Sequence, residues 1–199
     1  MSKSTFFEPD YEFKNTQGVI ILGVPKCCCT SIKTAFLGKD VENVHAKGAL
    51  KYLSKRETFE AGRKVRITFV RNPYDRLLSL WKQKVKVPNK FALRASNNFE
   101  TGMSFEAFVK EVCLEDLSVA NVHYRPMHEI LHWNGHYLPD WTGKVEDMAN
   151  GWFYLQEKYG FPDLPWENKT PEDDPWTPEL RGMVAAKYQK DFRFFDYKM

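Results

Sequence analysis

The stretch from Gly18 to Lys33, GVIILGVPKCCCTSIK, constrains this chain more than any other. Its continuous Val-Ile-Ile-Leu run reads as a strand over 18–24 buried on both faces, as strands of parallel sheets are. A short loop follows, and then a helix over 31–38 that ends at Gly38. A strand that runs through a tight loop into a helix aims backbone N–H groups and a positive helix end at one point, which suits a phosphate. The loop departs from the GxxxxGK[ST] phosphate-loop pattern. Cys28 stands at the second glycine, Cys29 at the lysine, and a lysine, Lys26, has moved to the front. The segment reads as a nucleotide site, but not one for ordinary magnesium–ATP chemistry.

The 199 residues suit one domain, and 43% hydrophobic with 28% charged residues is a globular balance. No apolar run approaches the ~20 residues that span a bilayer. The first residues, MSKSTFFEPDYEFK, lack the apolar core of a secretion signal. Three of the four cysteines are adjacent, which excludes an ordinary disulfide framework and points to a reducing, cytoplasmic compartment. The net charge of +3 hides an asymmetry: residues 33–94 hold 16 Lys and Arg against 5 Asp and Glu. A basic half beside a phosphate loop implies an anionic ligand, although a solvated lysine-rich face has the same composition.

Further along, 41–45 reads as a short strand and 46–53 as a helix. Lys64 to Val70 reads as a third strand, stopped by Asn72-Pro73, with Pro73 opening a helix whose Leu77, Leu78 and Trp81 share one face. This alternation predicts an α/β fold: a phosphate-loop-like parallel sheet flanked by helices, with a helical C-terminal half. Residues 87–103 lack periodicity and read as a loop. Ser104 caps a helix to about Val112, Trp141 to Val145 suits a short strand, and Met148 to Tyr159 and Pro178 to Phe192 read as helices.

The third strand leads into FVRNPYDRLLSLW, in which Arg71 meets the carboxyl end of a parallel strand and Ser79 follows eight residues later. A guanidinium and a hydroxyl together can grip a phosphate. Here the chain resembles the PAPS-dependent sulfotransferases, specifically the carbohydrate sulfotransferases of the chondroitin and dermatan type. VPKCCCTSIK is similar to that family's loop for the 5′-phosphosulfate, and FVRNPYDRLLS to its 3′-phosphate motif. His123-Tyr-Arg-Pro126 resembles its HW-x-P segment, Tyr137 to Glu146 its YDF-x-GK-x-E segment, and Asp191 to Tyr197 its DF-x-x-FGY ending. Five motifs in the family's order run from about residue 18 to 197. Golgi members carry a cysteine pair after HW-x-P; Leu131 and His132 stand there instead, which accords with a cytosolic version.

The resemblance implies a single sulfotransferase domain: a nucleotide-binding core over 18–86, an acceptor side over 87–140, and C-terminal helices over 141–199. It implies PAPS as co-substrate without a metal, a hydroxyl acceptor of carbohydrate type, adenosine 3′,5′-bisphosphate as product, and neither nucleic acid nor a membrane span. Lys26 would touch the oxygen bridging sulfate and phosphate. Cys27, Cys28, Cys29, Thr30 and Ser31 would line the 5′-phosphate, with the cysteines as small residues permitting close backbone approach. Arg71 and Ser79 would bind the 3′-phosphate, and Arg76 would lie at the surface or behind them. The base that takes the acceptor proton would be His45, 26 residues before Arg71 and close to where related sulfotransferases place a histidine, with His123 as the alternative. Lys33 is either a phosphate neighbour or a solvated helix residue. His128, His132 and His136 are spaced by four, which invites a zinc reading, but Asn134-Gly135 breaks such a helix. The aromatics Phe91, Phe99, Tyr124, Trp133 and Tyr137 suit sugar stacking and core packing equally. A kinase with a degenerate phosphate loop and a non-enzymatic polyanion-binding module are the competing readings.

Overall fold

A computed structural model describes residues 10–13, 18–38, 44, 50–86, 99–116, 120–165 and 174–199. The strands are β1 (Asp10–Phe13), β2 (Val19–Leu22), β3 (Leu50–Leu53), β4 (Val65–Val70), β5 (His132–Trp133), β6 (His136–Tyr137) and β7 (Trp141–Lys144). The helices are α1 (Cys29–Leu37), α2 (Lys55–Phe59), α3 (Pro73–Lys84), α4 (Phe105–Leu114), α5 (Met127–Leu131), α6 (Met148–Tyr159), α7 (Pro178–Lys187) and α8 (Gln189–Phe194). They group into two compact units, each with its own core. One runs to Val70 and resumes at Leu131; the other spans Arg71–Ile130 and the C-terminal end.

The first unit is built on a five-stranded sheet in the order β3-β1-β2-β4-β7. β2, β4 and β7 are parallel, so their carboxyl ends share one edge. β1 is antiparallel to both β2 and β3, so the sheet is mixed and not parallel throughout as the alternating pattern predicts. β1 is absent from that pattern because four residues are too few for periodicity to register; only the alternation of Tyr11 and Phe13 marks it. The helix expected over 46–53 is also corrected. Leu50–Leu53 is a strand in register with β1, Tyr52 opposite Tyr11, and pairing with that partner overrides the local helical preference. Of the strand expected over 41–45, only Val44 is described; 46–49 lie outside the described residues, as do 87–98.

One sheet face carries Phe13, Ile21, Ile67 and Phe69 and packs with Ile32 of α1 and Met148, Trp152 and Leu155 of α6. Trp152 and Leu155 stand four and seven residues after Met148, the spacing of one helical face, and Gly160 ends that helix in the left-handed region. Ile20, Leu22, Thr68 and Val70 alternate to the other face and are buried as well. Thr68 satisfies its hydroxyl by donating to the Leu22 carbonyl at 2.8 Å.

The second unit is helical. Asn72 caps α3 by accepting the Tyr74 N–H at 3.0 Å, with Pro73 in the first turn as the sequence predicts. Ser104 and Thr177 cap α4 and α7 in the same way. Leu77, Leu80, Phe108, Val112, Val184 and Phe192 form the core. The helix expected over 178–192 is split at Tyr188, whose hydroxyl donates to the Tyr124 carbonyl at 2.6 Å. The C-terminal half is therefore mostly helical, with the short strands β5, β6 and β7 in addition. No helix among the described residues is long and apolar enough to cross a membrane.

Candidate nucleotide-binding and catalytic residues

The loop after β2 leaves the carboxyl edge of the sheet and turns sharply. Lys26 has φ 71° and Cys28 φ 58°, both in the left-handed region that glycine ordinarily fills, whereas Cys27 between them is not. Alternation of hand along a short segment turns successive N–H groups into one concavity, and such concavities take anions. The Val24 carbonyl ties the loop down, accepting from the Cys27 N–H at 3.1 Å and the Cys29 thiol at 3.0 Å. α1 starts at Cys29, two residues before the predicted Ser31, so all of Cys27 to Ser31 lie in the turn or the first helical turn. No side chain caps the helix and its first turn holds no acid, so its positive end is not neutralised from within. Lys26 is half-buried, Thr30 exposed and Ser31 buried.

Lys33 is not a solvated helix residue. It is 3% exposed, with its ammonium 4.7 Å from the centre of the Tyr11 ring and 3.4 Å from the Tyr52 hydroxyl. Burial lowers its pKa, and Cys29 acts in the opposite sense.

In the second unit, Arg71 immediately follows β4 and is half-buried, as is Ser79 on α3. Arg76 is not at the surface. It is 2% exposed and donates through Nη1 to the Arg125 carbonyl at 2.7 Å and through Nη2 to the Val122 carbonyl at 3.1 Å. Those carbonyls bracket His123. The His123 ring is half-buried, and Asn121 Oδ1 meets both its backbone N–H at 3.0 Å and its Nδ1 at 2.7 Å. Sequence reasoning missed Asn121; the signal was an Asn two residues before a His, the spacing of an Asx turn. The other candidate base, His45, lies outside the described residues.

A profile of the sulfotransferase family matches residues 9–198. The chain belongs to the sulfotransferase family. No curated protein and no solved structure matches it.

Within this sulfotransferase-family chain, the C-terminal motifs that carried the resemblance do structural work. Gly143 of the TGK segment faces Trp141 and Phe69, where an added Cβ would stand 2.5 Å from Trp141 Cη2. Asp191 is fully buried and accepts the N–H groups of Met127 and His128 at 2.7 and 2.9 Å, with His128 Nδ1 at 2.6 Å. Asp196 stands where the DF-x-x-FGY ending has glycine and adopts φ 53°, a conformation Asp tolerates better than most residues. Tyr124 is core, 1% exposed, with its hydroxyl donating to Glu115 at 2.6 Å, so it does not offer a face to a sugar. Phe99 packs on it edge-on, while Phe91 lies outside the described residues. α5 ends at Leu131, earlier than the predicted break, and His132 and His136 lie in the β5–β6 hairpin. The three histidines therefore do not share a helix face. Among the described residues no group of three His, Cys, Asp or Glu stands ready to hold a metal.

Proposed function

We propose that this sulfotransferase-family protein moves a sulfuryl group from PAPS to a hydroxyl of a carbohydrate acceptor. The observation that carries the reading is the loop after β2: two left-handed residues, a lysine at its front and an uncapped helix behind it. In this reading the backbone from Cys27 to Cys29, with Thr30 and Ser31, holds the 5′-phosphate. Lys26 neutralises charge developing on the oxygen between sulfur and phosphorus as that bond breaks. Arg71 and Ser79 take the 3′-phosphate; the motif resemblance and the position of Arg71 directly after β4 support this. A histidine accepts the proton of the attacking hydroxyl, His45 by resemblance or His123 by its fixed geometry. The sulfuryl group carries less charge than a phosphoryl group, so positioned cations and N–H groups suffice to stabilise its transfer. The carbohydrate acceptor rests on the order of the five motifs.

Thermal unfolding with three ligands tests the reading. Adenosine 3′,5′-bisphosphate should raise the melting temperature, with a stabilisation that grows as the logarithm of its concentration over its Kd, without magnesium. A larger shift with magnesium–ATP would favour the kinase reading. A salt-sensitive shift with heparin alone would favour a polyanion-binding module. Transfer of label from PAPS to a panel of glycans then identifies the acceptor.

A further inference from the structure

We propose that Cys29 is a positioning residue for the 5′-phosphate. Its thiol, donating to the Val24 carbonyl, closes the turn that sets Lys26 and Cys28 in their left-handed conformations and so keeps the loop after β2 in shape. The proposal rests on the sulfuryl-transfer reading above and deepens it by separating the three adjacent cysteines, which spacing alone leaves equivalent.

The turn comes first. Pro25 stands at the second position of the turn Val24–Cys27, and Lys26 at the third has φ 71°. The Cys27 N–H closes it on the Val24 carbonyl at 3.1 Å. Proline followed by a positive φ fits the type II turn, whose third position ordinarily belongs to glycine or asparagine. A lysine there is strained, and Cys28, with φ 58°, adds a second strained residue before α1 begins. Such conformations persist only where the surroundings over-determine them.

The thiol supplies that constraint. Val24 is buried, and its carbonyl oxygen offers two lone pairs and no hydrogen. The Cys27 N–H takes one lone pair. The Cys29 thiol stands 3.0 Å from the same oxygen, which can only accept, so the sulfur is the donor. A thiol is a weak donor in water, but the low dielectric around a buried carbonyl strengthens the bond. The two bonds reach one atom from either side of Cys28. Cys29 is also the first residue of α1, and the Ile32 N–H donates to the Cys28 carbonyl at 3.0 Å. The tie therefore joins the carboxyl edge of the sheet to the first turn of the helix, across both strained residues, entirely within the first unit.

Without the thiol, Lys26 and Cys28 are held by one bond fewer and can relax towards ordinary φ. The N–H groups from Cys27 to Cys29 then no longer converge, and a ligand loses what it gains through its 5′-phosphate. Contacts made through a 3′-phosphate are untouched. Cys27 enters the tie through its backbone and Cys28 through its conformation; Cys29 alone enters through its sulfur.

Calorimetric titration of the full chain with three nucleotides tests this. Cys29→Ala should weaken adenosine 3′,5′-bisphosphate and adenosine 5′-phosphate alike, by roughly three- to tenfold, the worth of one neutral hydrogen bond. Adenosine 3′-phosphate, which lacks the group the loop holds, should change by less than about 1.5-fold. Cys29→Ser, whose hydroxyl donates in place of the thiol, should recover most of the loss for both 5′-phosphates. Equal losses for all three nucleotides, or wild-type affinities in Cys29→Ala, overturn the proposal while leaving sulfuryl transfer intact. A second measurement needs no ligand. The S–H stretching band that disappears from the infrared spectrum in Cys29→Ser should lie at lower frequency than that of a thiol without an acceptor. A band at the unbonded frequency overturns the tie whatever the protein binds, and this measurement decides the bond should Cys29→Ala fail to fold. No affinity of the wild type for either 5′-phosphate overturns the loop reading and the positioning role together.

Discussion

The Lys33 ammonium lies 4.7 Å from the centre of the Tyr11 ring, so a charge on the helix that follows the β2 loop faces the aromatic side chains of β1 and β3. Burial holds this amine below its ordinary value of 10.5. Between the lowered value and 10.5 the unfolded chain binds more protons than the folded one, so stability rises with pH across that window. Below it both states are charged and the folded state bears the full cost of burial. Lys33→Met should therefore melt above the wild type at neutral pH, with the gap closing towards pH 10.5, as thermal unfolding across that range would show. A lower melting temperature at neutral pH would mean that attraction to the rings outweighs burial.

Gly143 tells the opposite story, of space rather than charge. A Cβ there would stand 2.5 Å from Trp141 Cη2 and 2.6 Å from Phe69 Cε1. Both rings belong to the packed face of the sheet, so neither yields freely. Gly143→Ala should cost about 1–3 kcal/mol and lower the melting temperature by roughly 3 to 10 °C. An unchanged unfolding curve would show that the rings can shift.

Cys28 holds φ 58° at the position where a phosphate loop has its second glycine. A left-handed conformation costs a non-glycine residue roughly 1–2 kcal/mol, and glycine returns about 0.5–1 of that through its unfolded-state freedom. Cys28→Gly should be at least as stable as the wild type and keep its affinity for adenosine 3′,5′-bisphosphate. Cys28→Val, branched at Cβ, should lose about 1 kcal/mol and weaken that ligand. Calorimetric titration of both variants checks the pair.

Arg71→Ala should weaken adenosine 3′,5′-bisphosphate by roughly 10- to 100-fold, the worth of a charge-assisted contact. Adenosine 5′-phosphate, which lacks the discriminating group, should lose less than about threefold. Equal losses for the two nucleotides would remove Arg71 from the 3′-phosphate.

The strand–loop–helix run from Gly18, the β4 strand with Pro73 after it, and the caps at Ser104 and Thr177 were legible because each is a local effect. Continuous apolar residues, a ring that pre-sets φ, and a hydroxyl that meets an N–H three residues on all act within a few positions. β3 was not legible. Leu50 to Leu53 has no strand signal of its own, and only the open edge of β1, some forty residues away in sequence, makes a strand the better conformation.

The site divides along the same line. Lys26, the cysteine run, Arg71 and Ser79 are candidates by residue type and spacing, and spacing leaves His45 and His123 as alternatives for the base. What spacing cannot reveal is where a side chain finds its partners. Arg76 reads as one more arginine on a basic helix, yet it is buried because two carbonyls from a loop some fifty residues later reach it. Lys33 likewise reads as a phosphate neighbour or a solvated lysine, and becomes a caged one only when β1 and β3 bring their tyrosines over it. The chain alone therefore determined its family, its strand–loop–helix run and the candidate groups for an anion. Tertiary structure decided which charges are buried and which groups they meet, because burial and hydrogen-bond complementarity there belong to contacts between segments distant in sequence.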